Sequence, residues 1–224
     1  MAFITINGTN DADTLIDYTR PLPDDYPFSL PESNLVTING FGGDDIISGQ
    51  DPFSTYIING GAGNDLAVGG GSDDLLNGDD PDGVAGNDYL DGFEGNDALF
   101  GFGGNDTLDG GTGTDDLYGV DGNDVFRFDS VSDSQPGLLR DIIKDFVGNG
   151  NLAGDRIDLS GIDANTNIAG DQAFTYIGTR AFTAPGQIRY SKDILQGNTD
   201  SNLSANFEIQ LAGSPLLVAS DIIV

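Results

Sequence analysis

The sequence predicts an all-β protein: a right-handed parallel β-roll followed by a β-rich C-terminal capping domain. Three observations carry that prediction. An aspartate returns every nine residues between Gly83 and Arg127, at Asp88, Asp97, Asp106, Asp115 and Asp124. An apolar residue keeps step with it, at Leu90, Leu99, Leu108, Leu117 and Phe126. The 34 glycines among 224 residues are too many for helices or an ordinary sandwich. A short fixed period means one small unit stacked on itself, each copy burying its apolar face against the next.

The elements follow in chain order. Residues 1–33 read as an N-terminal cap: a degenerate copy of the repeat, GTNDADTLI at 8–16, precedes Pro21, Pro23, Pro27 and Pro31. Proline at that density forbids a regular ladder, and a solenoid end needs cover for its core. Residues 34–127 are the roll. Three more copies lie upstream of the uninterrupted run, NGFGGDDII at 39–47, GGAGNDLAV at 60–68 and GGGSDDLLN at 69–77. In each copy six Gly-rich residues make a turn and three make a short strand whose central residue points inward. Ile46, Leu76, Leu90, Leu99, Leu108, Leu117 and Phe126 are therefore core residues, with Ala67 a small member. Ile58 plays the same part in a copy that has lost its aspartate. Insertions at Gln50–Thr55 and Asp79–Asp82 account for two breaks in the period and should bulge from turns as loops. Residues 128–224 form the third part. Alternating stretches at 126–130, 156–160, 174–178, 187–191 and 207–211 read as antiparallel strands separated by polar turns, with one or two helical turns near Asp141–Phe146.

Charge divides the chain in the same way. The net charge is −29, from 37 acids and 8 bases, and only three of the acids are glutamates. Residues 1–124 hold 25 acids against one base, and residues 125–224 hold 12 against seven. Aspartate in this excess suits tight loops and short-reach coordination better than a solvated helical face. The absence of cysteine and histidine excludes disulfides, thiol chemistry, the Ser-His-Asp triad and the His-Glu-x-x-His zinc site. The first ten residues lack the pattern of a cleavable signal peptide, and no apolar run is long enough for a transmembrane segment. A surface this acidic is the opposite of what nucleic acid requires.

The repeat also specifies a ligand class. Two nonapeptides complete one coil, so each aspartate stacks over the one eighteen residues later. Glycine turns free backbone carbonyls, and each turn adds one carboxylate. Calcium wants six to eight hard oxygen ligands at about 2.3–2.6 Å, which carbonyls and two carboxylates from adjacent turns can supply. Zinc would want nitrogen or sulfur, and the repeats offer neither. Asn64, Asn87, Asn96, Asn105 and Asn123, just before the aspartates, read as turn formers rather than ligands.

These repeats, of the form Gly-Gly-x-Gly-x-Asp-x-apolar-x, resemble those of RTX calcium-binding proteins. The resemblance implies that carbonyls at positions two and four join the aspartate of one turn, and carbonyls at positions one and three join the aspartate two repeats later. On that pattern one Ca2+ takes Val84, Gly86, Asp88, Gly101, Gly103 and Asp106. A second takes Phe93, Gly95, Asp97, Gly110, Thr112 and Asp115, and a third Phe102, Gly104, Asp106, Gly119, Asp121 and Asp124. Pairs that span an insertion extend the set: Asp65–Asp88 with Gly61, Gly63, Gly83 and Ala85; Asp74–Asp97 with Gly70, Ser72, Gly92 and Glu94; Asp44–Asp65 with Gly40, Gly42, Gly60 and Ala62. The implied total is about six ions.

The last hundred residues resemble the C-terminal domain of serralysin-type secreted proteases, in GDRIDLSGIDAN (154–165), DQAFTYIG (171–178) and NFEIQLAG (206–213). In that family this domain and an acid-plus-apolar tail, here Asp221–Val224, carry an uncleaved signal for type I secretion machinery. The zinc protease domain that precedes such repeats is missing from this sequence. The expectation is thus a secreted, extracellular, non-enzymatic calcium-binding protein with a structural or adhesive role, whose roll folds on binding calcium after export. The alternative is a carbohydrate-binding accessory module of a secreted polysaccharide-modifying system, like the repeat modules of alginate epimerases. An extracellular polysaccharide or a cell surface is the candidate partner.

Overall fold

A computed structural model describes residues 3–17, 34–81, 83–148 and 153–224. The chain winds back and forth between two sheets. In the first, Phe3–Asn7, Leu35–Gly42, Thr55–Ala62, Leu75–Asn77, Ala98–Gly104, Asp116–Gly122, Asp141–Ile143 and Phe207–Leu211 lie side by side in parallel. In the second, Thr14–Asp17, Ile46–Gly49, Leu66–Val68, Tyr89–Asp91, Thr107–Asp109, Val125–Arg127, Arg156–Asp158 and Ile222–Ile223 do the same. Successive strands alternate between the sheets, which makes the molecule a parallel β-roll. Among the described residues the one helical element is a 3-10 turn at Ala219–Asp221.

Three-residue strands have room for one inward side chain, and that residue forms the core. Leu76, Leu90, Leu99, Leu108, Leu117 and Phe126 are fully buried, as are Ile58 and Ala67 in their weaker copies. Full burial of one such side chain contributes about 1.5–3 kcal/mol, so each strand brings little hydrophobic stabilisation of its own. The expected loops fall at turns, between Ile46–Gly49 and Thr55–Ala62 and between Leu75–Asn77 and Tyr89–Asp91.

Ile46 is a correction. It is 47% exposed, whereas Ile47 is completely buried. The doublets Asp44-Asp45 and Ile46-Ile47 allow two registers with the same local pattern. Pairing across coils selects one: Asn39 stands opposite Asn59, and Ile47 opposite Ala67. A one-residue slip would turn every side chain of that strand to the other face.

Parallel pairing also runs beyond both ends of segment 34–127. Residues 3–17 supply a coil paired in register with 35–39 and 46–49; the proline-rich stretch of the expected cap lies outside the described residues. At the other end, Val125–Arg127 and Arg156–Asp158 are parallel neighbours rather than antiparallel strands. Asp141–Ile143, expected to begin a helical turn, is a strand against Asp116–Gly122. Among the described residues antiparallel pairing is confined to Gln187–Ser191, Ile194–Asn198 and Phe207–Leu211, which close the first sheet together with Thr175–Tyr176. Glu208 in this closing sheet holds Arg140 at 2.8 Å. The C-terminal tail is the last strand of the second sheet, where Ile222 pairs with Ile157, and Asp221 is buried.

The register has a direct test. Ile47→Ala should lower unfolding stability in calcium by about 2–5 kcal/mol, and Ile46→Ala by no more than about 0.5 kcal/mol, in urea titrations. A larger loss at Ile46 would mean that the other register is correct.

Candidate metal centre

Where the chain passes from the first sheet to the second, the turns place one aspartate directly above another. Asp13, Asp45, Asp65, Asp88, Asp106, Asp124 and Asp155 form this rank. The N–H of each of the first six donates to Oδ1 of the next, at 2.6–3.0 Å. A second rank runs along the opposite edge: Asp74, Asp97, Asp115 and Asp141 repeat the bond at 2.7–2.8 Å. Outside the first rank, Asn64, Asn87, Asn105 and Asn123 form a parallel ladder from exposed Asp44, each donating to the residue one coil before. Asn96 does the same to Asp73. The asparagines thus tie coil to coil, which is more than forming a turn.

The second carboxylate oxygen is the decisive feature. Oδ2 of Asp45, Asp65, Asp88, Asp97, Asp106, Asp115, Asp124 and Asp141 is buried and accepts no hydrogen bond. A buried acceptor left without a partner costs on the order of 1–3 kcal/mol, and more when charged. Five of these oxygens, at Asp45, Asp65, Asp88, Asp97 and Asp106, lie beside a carbonyl, as the glycines reveal. A Cβ added at Gly60 would meet Asp65 Oδ2 and, at 2.5 Å, the carbonyl of Gly78; one at Gly92 would meet Asp97 Oδ2 and, at 2.6 Å, the carbonyl of Gly110. The same cradle recurs at Gly40, Gly78 and Gly101. At the fourth position, a Cβ on Gly63, Gly86, Gly95, Gly104, Gly113 or Gly122 would collide with a carbonyl of the preceding coil. Only glycine fits between the stacked carbonyls there. Among the described residues no three acidic side chains are gathered as a ready-made metal cluster. The donors are instead carbonyls and ladder carboxylates, which are hard oxygens suited to calcium.

Burial of these carboxylates, with repulsion from their neighbours in the rank, pushes their pKa values up from 3.8, to about 6 at Asp65 and Asp124, about 7 at Asp106 and Asp115, about 8 at Asp88 and about 9 at Asp97 and Asp141. The folded stack, left to itself, prefers protons to charge. A cation resolves the same conflict at neutral pH.

Most of the residues expected from the sequence stand in these ranks, with three differences. Asp45 rather than Asp44 belongs to the first rank, for the register reason given above, and Phe41 and Gly43 replace Gly40 and Gly42 at the second and fourth positions. Gly83 is exposed and donates its N–H to the carbonyl of Asp80; Gly78 takes the first position of that turn, because the insertion follows it rather than precedes it. Val84 is 71% exposed. Phe41, Phe93, Phe102 and Val120 share the second position of their turns with left-handed φ values of 70–76°, a conformation that costs a bulky residue roughly 1–2 kcal/mol. Asp13, Asp141 and Asp155 were not legible as members: Asp13 stands in a degenerate copy, and the other two lie beyond the last nonapeptide.

The second rank stops at Tyr56. This residue occupies the place opposite Asp74, and its N–H donates to Asp74 Oδ1 at 2.7 Å. Its buried ring fills the turn against Gly49 and Gly70, and its hydroxyl accepts the Asp51 N–H. Asp74 Oδ2 takes the Gly70 N–H at 2.6 Å.

The sequence model of one family, Peptidase M10 serralysin C terminal, matches residues 10–224. The chain belongs to that serralysin C-terminal family. Its roll is the RTX-type repeat domain of the family. Among solved structures, the chain is similar to the AlgE6R3 subunit of the Azotobacter vinelandii mannuronan C5-epimerase, with 26% identity, 72% of this chain and 78% of that chain covered, and a TM-score of 0.33. No curated protein matches it.

The raised pKa values predict a pH dependence. Folded-state values of about 6–9 lie above 3.8, so without calcium the folded chain holds protons that the unfolded chain releases. That stabilisation is complete below about pH 4 and is lost as pH rises through about 6–9. In chelator, far-UV circular dichroism should show more β-structure at pH 4–5 than at pH 8. Equal signals at both would contradict the account.

Proposed function

We propose that this serralysin C-terminal family protein is a secreted, extracellular, non-enzymatic calcium-binding protein whose roll folds when calcium fills the gaps between stacked turns. One observation carries this reading: in two ranks of stacked aspartates, eight buried members each leave one oxygen without a hydrogen-bond partner, five of them beside a backbone carbonyl. Six gaps lie between nonapeptide turns, bounded by Asp45–Asp65, Asp65–Asp88, Asp88–Asp106, Asp106–Asp124, Asp74–Asp97 and Asp97–Asp115. At ten times a site's dissociation constant each ion adds about 1.4 kcal/mol, or roughly 8 kcal/mol for six. That equals the whole stability of many domains. Modules with affinities near ~0.1–1 mM remain unfolded at cytosolic calcium and fold outside the cell.

Export through a type I secretion channel fits this order of events. The tail Asp221–Val224 is paired into the second sheet in the folded chain, so a transporter has to read it before that sheet closes. The division into residues 1–33, 34–127 and 128–224 then describes stages of folding: the roll waits for calcium, and the C-terminal part closes it. The extracellular role is structural or adhesive.

A second reading, a carbohydrate-binding accessory module, is favoured by one surface. Phe100 and Tyr118 stack at 4.4 Å on the first sheet, beside a ladder of amides from Asn7 through Asn39 and Asn59 to Asn77. Flat aromatic faces flanked by amides suit a sugar ring. Retention on immobilised alginate in calcium, reversed by chelator, would support this reading, and no retention would remove it.

The main test is a calcium titration of the purified chain followed by circular dichroism, with magnesium as control. A cooperative gain of β-signal near millimolar calcium, absent with magnesium, is expected. Asp106→Asn, which removes a carboxylate shared by two gaps, should shift the midpoint to higher calcium. A chain fully folded at pH 8 in chelator would overturn the proposal.

A further inference from the structure

The irregular turn between Leu75–Asn77 and Tyr89–Asp91 contains a buried acid that belongs to neither rank. Asp79 follows Gly78, at the second turn position, which Phe41, Gly61, Phe102 and Val120 occupy in neighbouring coils. Those four residues have positive φ. Asp79 does not share that conformation, and its side chain is 2% exposed. The five-residue insertion turns it inward.

Its contacts place it between two coils. The Gly86 N–H, from the fourth position of the same turn, donates to Asp79 Oδ2 at 3.1 Å. The Gly103 N–H, from the third position of the next turn, faces the same carboxylate and lowers its pKa against the larger, raising effect of burial. In other coils the third-position N–H goes to a second-position backbone carbonyl: Thr112 to Phe93 at 2.8 Å, Glu94 to Gly70 at 3.2 Å and Gly42 to Thr9 at 3.3 Å. The Asp79 carboxylate thus stands on the side where a backbone carbonyl accepts that N–H in other coils. Its other oxygen, Oδ1, is buried and has no hydrogen-bond partner.

Building on the calcium reading above, we infer that Asp79 is a third carboxylate ligand of the ion between turns 78–88 and 101–106, added to Asp88 and Asp106 where other sites use a neutral carbonyl. This gap binds calcium ahead of the rest and seeds the roll. The three carboxylates do not already converge on a point, so the ion draws them together against their mutual repulsion. A cleft of about 200 Å3 beside Ala85, Gly103 and Val120 gives it a way in. The extra negative charge strengthens attraction for a divalent cation, and ligand charge is one of the quantities that set calcium affinity.

Calcium-binding isotherms of the full chain test this. Asp79→Asn keeps an oxygen for the Gly86 and Gly103 N–H groups but removes the charge; Asp80→Asn removes an equal charge from the exposed neighbour. The tightest ion of the native chain should weaken at least tenfold in Asp79→Asn and less than twofold in Asp80→Asn, with β-structure at saturating calcium unchanged. Superimposable isotherms for the native chain and Asp79→Asn, or equal losses in both variants, would overturn the inference alone. A native chain that takes up no calcium would overturn the underlying reading as well. Should Asp79→Asn fail to fold, europium(III) excitation spectra of the native chain decide: one ion per chain carrying an additional carboxylate is expected, and a single class of sites refutes the assignment.

Discussion

The structure depends on how one side chain divides its two oxygens. In each ladder aspartate, Oδ1 accepts the N–H of the aspartate one coil earlier and thereby sets the spacing of the coils. At Asp45, Asp65, Asp88, Asp97, Asp106, Asp115, Asp124 and Asp141, Oδ2 is left buried with no donor. The first contact holds the solenoid together; the second makes it unstable as a bare anion. The three-residue strands cannot offset that conflict, because each brings a single side chain to the core. A counter-charge must therefore be part of the folded state. Protons can supply it in acid, and a hard divalent cation can supply it at neutral pH.

Much of this was legible in the sequence because the repeat is local. The nonapeptide states its own turn, strand and inward residue, and Leu76, Leu90, Leu99, Leu108, Leu117 and Phe126 are where the period puts them. The failures occur where position depends on a neighbouring coil. Asp44 and Asp45 are equivalent to a local pattern, and only alignment with residues 60–65 separates them. Gly83 and Gly78 compete in the same way across an insertion. Asp141–Ile143 has no repeat around it; its strand forms because an edge of Asp116–Gly122 awaits a partner. Asp155 likewise joins its rank through strand pairing at Arg156–Asp158, outside the nine-residue period.

The C-terminal sheet is built on a different footing. Its antiparallel strands pair through close sequence neighbours, Ile188, Leu195, Phe207 and Ile209 pack in its interior, and Arg140 is paired with Glu208. None of these contacts requires a ladder carboxylate. The chain thus joins a segment with an ordinary core to one built on stacked, unpaired carboxylates, through continuous parallel strands.

Tyr56 makes the two long edges of the solenoid unequal. C-terminal to it, both edges carry aspartates. On its N-terminal side the second edge is closed by an aromatic ring and by Val36, which pairs with it. If calcium fills the gaps as proposed, the early coils would be laced by ions along one seam and by carbon along the other. A force that peels the N-terminal end would then meet unequal resistance at the two seams: the carbon seam would yield independently of calcium, and the ionic seam only as its ions are lost. On that reading the molecule has a built-in direction for coming apart.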